Sequence, residues 1–188
     1  SSRGQQSLFA FIKMSNFNKD QEKAIRNAAE LDGLSMADRK TLIKMIDDLN
    51  GQDKAIKLFV DGAADLHSKT AGIGGVIYSN DKELSNFSEP LFDKTNNEAE
   101  YLSLIKGIEQ LIDLKVASVD IYADSELVVK QVLGIYKVKN ERMKILHNLV
   151  LEKLQLIDQW NLVHIRREKN IRADELSKLG MNKAKSKK

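Results

Sequence analysis

Apolar residues recur first at the spacing of a helix and then at that of a strand, and the change of period near residue 54 divides the chain in two. Between Asn18 and Gly33, the residues Ile25, Ala28, Ala29 and Leu31 share one helical face that stops at a glycine. Ser35-Met36-Ala37-Asp38 can cap a second helix, whose Leu42, Ile43, Ile46 and Leu49 line up before Gly51. The pair reads as a helical hairpin, and Gly51-Gln52-Asp53-Lys54 is a polar joint to the next segment. From there the period shortens. Ala55 to Ala63, Gly74 to Ser79 and Glu83 to Phe92 predict three strands parted by turn-forming residues, with short links that favour antiparallel neighbours. Asn96 to Leu114 predicts a helix through Ala99, Leu102, Ile105, Ile108 and Ile112, then a strand to Asp124 and a helix from Ser125, which together make a strand-helix-strand crossover. A long helix from Asn140 to Ile157, a strand from Trp160 to Arg166 and a last helix from Ala173 complete an α/β pattern.

Composition narrows this picture. A chain of 188 residues, 42% of them hydrophobic, buries one good core plus a small appendage. The expected division is an N-terminal segment with the hairpin over 1–54, one domain over 55–182 and a lysine-rich, disordered tail over 183–188. With 30 Lys plus Arg against 27 Asp plus Glu, the net charge of +3 does not by itself specify a nucleic-acid partner. The absence of cysteine excludes disulfides and thiolate metal sites, suits a reducing cytoplasm, and leaves oxygen or histidine as metal ligands. No apolar run reaches the roughly 20 residues that span a bilayer, and no segment has the order of a secretory signal. The expectation is a soluble cytoplasmic protein with no membrane partner.

The chemistry lies in acidic residues. Asp61 and Asp124 each close an apolar, β-branched stretch and are expected at the carboxyl ends of strands, where open α/β sheets carry their sites. If those strands are neighbours, the two carboxylates converge. Glu100 lies one helical turn beyond Asn96 and Asn97 and shares their side, whereas Glu98 points elsewhere and is expected to be solvated. Asp174, near the start of the last helix, fits either a dipole partner or a ligand. Crowded carboxylates repel one another and titrate as a set, and a bound divalent ion relieves that repulsion. Trp160, at the head of an apolar strand, is expected in the core.

These residues also carry a family resemblance. Asp-Gly-Ala-Ala at Asp61 to Ala64, Thr-Asn-Asn-x-x-Glu at Thr95 to Glu100, Asp-Ser at Asp124 and Ser125, and Asn-x-x-Ala-Asp at Asn170 to Asp174 follow one another as in type 1 ribonuclease H. The resemblance runs from about Lys57 to Met181, and the compact link Gly134 to Lys139 is similar to the archaeal and Gram-positive branch without a basic-handle helix. It implies a mixed five-stranded sheet flanked by helices and two Mg²⁺ ions, or Mn²⁺, held by Asp61, Glu100, Asp124 and Asp174. It also implies hydrolysis of the RNA strand of RNA/DNA hybrids, an endonuclease reaction leaving 5′-phosphate and 3′-hydroxyl ends. Asn96 is then expected against an RNA 2′-hydroxyl with Asn97 beside it, Thr95 near a DNA phosphate, and Lys137, Lys139 and Arg142 along a phosphate backbone.

Two departures from the family pattern stand out. The loop Asp65-Leu66-His67-Ser68-Lys69-Thr70 replaces the usual Gly-Asn-Pro-Gly, and no loop histidine precedes the last acidic motif. Val163-His164-Ile165 reads as strand, so His164 is expected to be packed. Arg167, permanently charged, is the candidate for the histidine's place: it can stabilise a scissile phosphate but cannot accept a proton from water. The alternatives are a catalytically weak or dead ribonuclease H-like nucleic-acid-binding module, presenting hybrid or structured RNA to a partner, and a domain excised from a larger reverse transcriptase-like protein. The hairpin, unable to bury its apolar faces alone, is expected to dock on the core, a protein partner or a second copy.

Overall fold

The computed structural model describes residues 19–30, 33–42 and 56–187. The chain falls into two compact units, Ser1–Lys54 and Ala55–Lys188. In the first, helix α1 (Lys19–Ala29) is amphipathic, with Ala29 buried, Ile25 and Ala28 half-buried, and Lys23 and Arg26 exposed. Helix α2 covers 36–42. It starts where Ser35 accepts the Asp38 N–H at 3.1 Å and donates its hydroxyl to Asp38 Oδ2 at 2.7 Å. The rest of the apolar face expected there, Ile43, Ile46 and Leu49, lies outside the described residues, as does Leu31.

The second unit is built on a five-stranded sheet of order β3-β2-β1-β4-β5. The strands are β1 (Ile56–Asp65), β2 (Thr70–Ser79), β3 (Lys82–Phe92), β4 (Ser118–Ala123) and β5 (Gln159–His164). The first three form an antiparallel meander, as their short links require, and β4 and β5 join in parallel through helical crossovers. The helices are α3 (Asn96–Asp113), α4 (Glu126–Val132), α5 (Glu141–Leu154) and α6 (Ile171–Lys185). Leu58, Val60, Ile121, Leu104, Ile108, Leu111 and Leu154 belong to one core, in which α3 packs on the sheet and α5 packs on α3. Side-chain alternation puts Asp61 on the opposite face of β1 from Leu58 and Val60, the face that α6 covers.

Glycine sets the distance to both layers. A Cβ on Gly62 would fall on the backbone of Ala99 and Glu100, and one on Gly74 would fall on Ser177 and Leu176. Helices α3 and α6 therefore sit in direct backbone contact with β1 and β2, which brings their side chains to one end of the sheet. Asn170, at the start of α6, donates its amide to the Val60 carbonyl at 2.9 Å and ties that helix to the strand beside Asp61.

The structure corrects several expectations. Strand β1 runs four residues past Asp61, because β2 continues to pair with it as far as Asp65 opposite Thr70. Trp160 is 36% exposed, since the edge strand β5 has a neighbour on one side only. His164 is exposed rather than packed, at the last position of β5 opposite Ala123. Helix α6 extends through Lys185: Ala184 is buried, Lys183 donates to the Ser88 carbonyl at 3.1 Å, and Lys185 pairs with Asp65 at 2.8 Å. These contacts make 183–185 part of the fold. Among the described residues no helix is long and apolar enough to cross a membrane.

Candidate active site

The parallel pairing of β1 with β4 ends at Val60 opposite Ala123, so Asp61 and Asp124 emerge side by side just past it. Glu100 comes from the second turn of α3. That helix is fixed by a capping box in which Thr95 accepts the Glu98 N–H at 3.3 Å and Glu98 Oε2 accepts the Thr95 N–H at 2.9 Å. Glu98, expected to be solvated, is therefore buried. Burial alone would raise its carboxyl, but hydrogen bonds from Thr95 and the nearby Arg142 guanidinium outweigh that and hold it below the usual range. The Gly62 N–H then reaches Glu100 Oε2 at 3.2 Å.

Asp61, Glu100 and Asp124 each offer an oxygen within 4.8 Å of the others. Like charges at such separations in a poorly solvated site resist ionising together. Burial first, then the charges of Asp61 and Asp124, pushes the Glu100 carboxyl up to about 9. Burial likewise raises Asp61 to about 7 against the opposing hydrogen bond from Ser177, with Asp124 and Asp174 adding to the rise. The Ser177 hydroxyl donates to Asp61 Oδ2. Asp124 Oδ2 is buried with no hydrogen-bond partner among the described residues. An orphaned carboxylate oxygen facing two carboxyls that resist charging is a donor set completed by a hard cation.

The expected site residues divide into those that meet and those that do not. Asn96, Ser125, Arg167, Lys178 and Met181 join the acidic trio in lining a cleft of ≈ 440 Å³. Asp174 lies outside the trio: its Oδ1 accepts Arg167 Nε at 3.1 Å and Nη2 at 2.6 Å, and its Oδ2 accepts Lys178 Nζ at 2.6 Å. Burial would raise its carboxyl, but the Lys178 and Arg167 hydrogen bonds hold it below the usual range. Thr95 and Asn97 are exposed and outside the cleft lining, as are Lys137 and Lys139 in the link between α4 and α5. Two contributors escaped the sequence reading. Lys178 was legible as the i+4 partner of Asp174, whereas Ser177 carried no motif signal.

Known proteins resemble this chain. A family model described as "Reverse transcriptase-like" matches residues 59–180. The ribonuclease HI of Halobacterium salinarum is 28% identical over 130 residues, covering 69% of this chain and 65% of that protein, so the chain spans under two thirds of that relative's length. Among solved structures, the N-terminal RNase H domain of Rv2228c from Mycobacterium tuberculosis, determined as a fusion with maltose binding protein, superposes with a TM-score of 0.68 at 26% identity over 72% of this chain and 99% of that one. LC11-RNase H1, determined in complex with an RNA/DNA hybrid, gives a TM-score of 0.65 at 36% identity over 69% of this chain and 98% of that one.

Proposed function

This chain belongs to the type 1 ribonuclease H family, and from that premise we propose that it is a divalent-metal-dependent endonuclease hydrolysing the RNA strand of RNA/DNA hybrids. The observation that carries the reading is the convergence of Asp61, Glu100 and Asp124 from three separate elements, with Asp124 Oδ2 left without a hydrogen-bond partner among the described residues. A fold gains no stability by crowding three carboxyls, two of them buried, and it tolerates them where a function needs them.

Asp61, Glu100, Asp124 and Asp174 would hold the ions, Mg²⁺ by the hardness of an all-oxygen donor set and Mn²⁺ as a substitute. When bound, two such ions supply Lewis acidity that activates water and stabilises the leaving 3′ oxygen, with no covalent enzyme intermediate. The chain's own residues orient this set. Gly62 fixes Glu100, Ser177 fixes Asp61, and Arg167 holds Asp174 at the cleft. Asn96 lines the cleft one helical turn before Glu100, where its amide can both donate to and accept from a 2′-hydroxyl, the group that marks RNA. The Thr95 hydroxyl is engaged with Glu98 at 2.9 Å, so its part is to hold Asn96 in position. Asn97, Lys137 and Lys139, outside the cleft lining, extend the contact to the phosphate backbones.

Asp124→Asn tests the assignment, because the amide keeps the shape and removes the charge that holds an ion. Cleavage of a labelled hybrid should fall at least about 100-fold, while equilibrium binding of the hybrid stays within a few-fold of wild type. Turnover near the wild-type rate in Mg²⁺ would falsify the catalytic assignment.

A further inference from the structure

Lys178 stands where the acidic trio meets Asp174. It follows Asp174 by one turn of α6, lines the same cleft as Asp61, Glu100 and Asp124, and places Nζ 2.6 Å from Asp174 Oδ2. The other oxygen of that carboxylate is taken twice by Arg167. Any cation that uses Asp174 as a ligand therefore meets two protein cations already on it. They are not equivalent. The Arg167 guanidinium is planar, grips Oδ1 through two N–H groups, and sits on a short 3-10 turn (Arg167–Lys169) that Asn170 fastens to β1. Lys178 is a point charge on a flexible stem that holds Asp174 through a single contact; both side chains reach water, so the difference lies in the hold and not in exposure, and the lysine swings away at less cost than the doubly bonded arginine.

We propose that Lys178 is a positioning residue that competes with a divalent cation for Asp174 Oδ2, so the ion at Asp174 binds more weakly than the ion at Asp61, Glu100 and Asp124. This rests on the reading of Asp174 as a ligand. The lysine holds the carboxylate at the cleft and yields its oxygen as the ion arrives, while Arg167 keeps Oδ1 throughout. Because competition is reciprocal, anything that draws the ammonium away, such as a phosphate entering the cleft, strengthens ion binding at Asp174. The second ion thereby becomes linked to the presence of a polyanionic substrate.

Calorimetric titration of the full chain with Mn²⁺ at low ionic strength tests this without any turnover. The wild type should bind one ion tightly and one weakly. Lys178→Met, which keeps the stem and drops the charge, should tighten the weaker ion roughly threefold to tenfold and leave the tighter one within about twofold. Lys178→Gln should behave likewise, guarding against a packing artefact of methionine. In thermal melts, saturating Mn²⁺ should raise the midpoint of both variants by more than that of the wild type. If the wild type takes one ion and the variants two, the proposal also stands. Two ions in all three proteins with an unchanged or weakened second affinity would overturn it and leave the metal-dependent reading intact. One ion in all three would overturn it as well. A wild type that binds no divalent ion would overturn both.

Discussion

Replacing Glu100 with glutamine removes a charge that the fold resists carrying. Glu100 is 6% exposed and Asp61 2%, and they face Asp124. The folded chain therefore keeps the Glu100 proton until about pH 9, where an ordinary glutamate would lose it near 4.5. A pKa raised by folding means stability that is full below the unfolded value and is lost as pH climbs through the folded one. At about 1.4 kcal/mol for each pKa unit, Glu100 alone costs on the order of 4 kcal/mol between pH 5 and pH 8. Asp61, raised from 3.8 to about 7, loses stability over the lower part of the same window. The two share one repulsion, so their costs do not add. Glutamine keeps the acceptor for the Gly62 N–H and carries no charge. In chelator, urea titrations followed by circular dichroism should show wild type and Glu100→Gln close at pH 5, with the variant more stable by about 4 kcal/mol at pH 8. Mg²⁺ at pH 8 should stabilise the wild type and leave the variant nearly unmoved. A wild type of constant stability from pH 5 to pH 8, or a variant that loses as much as the wild type, would refute the crowding.

Gly74→Ala should destabilise the protein by about 2 kcal/mol or more, read as a lower urea midpoint, because the new methyl meets the backbone of Ser177 and Leu176, which cannot step aside as a side-chain tip can; an unchanged midpoint would show that α6 floats above the sheet. Arg167→Ala should slow cleavage of a hybrid by at least about tenfold, whereas the exposed His164→Gln should stay within about twofold. Any inflection of the wild-type rate near pH 7 belongs to the crowded carboxyls, Asp61 among them, and should persist in His164→Gln. A defect confined to His164→Gln would exchange the two roles.

The alternation through Leu58, Val60 and Ile121 was legible because a half-buried strand must repeat every second residue, and it carried the convergence of Asp61 and Asp124 with it. Strand limits were less legible, since pairing depends on the neighbour: β2 begins at Thr70, four residues before the expected Gly74, because β1 continues alongside it. Glu98 was misplaced although Thr95-x-x-Glu98 is a capping-box signature, whose reciprocal hydrogen bonds need the glutamate turned back on the helix start. The exposure of Trp160 and His164 follows from the edge position of β5, which strand order decides and local pattern does not. The hold on Asp174 lay half in view. The spacing of Asp174 and Lys178 predicts an ion pair, but Arg167 reaches the same carboxylate only through the 3-10 turn and the Asn170 tether.

If the crowded carboxylates at the end of the β1–β4 pair exist to hold ions that cut RNA paired with DNA, the most direct test is cleavage itself. End-labelled RNA/DNA hybrid, double-stranded RNA and single-stranded RNA are each incubated with the protein in Mg²⁺, in Mn²⁺ and in chelator. Internal cuts are expected in the RNA of the hybrid alone, with 5′-phosphate and 3′-hydroxyl ends, in either ion and not in chelator. Intact hybrid in both ions, cleavage that persists in chelator, or equal cleavage of double-stranded RNA would contradict that role.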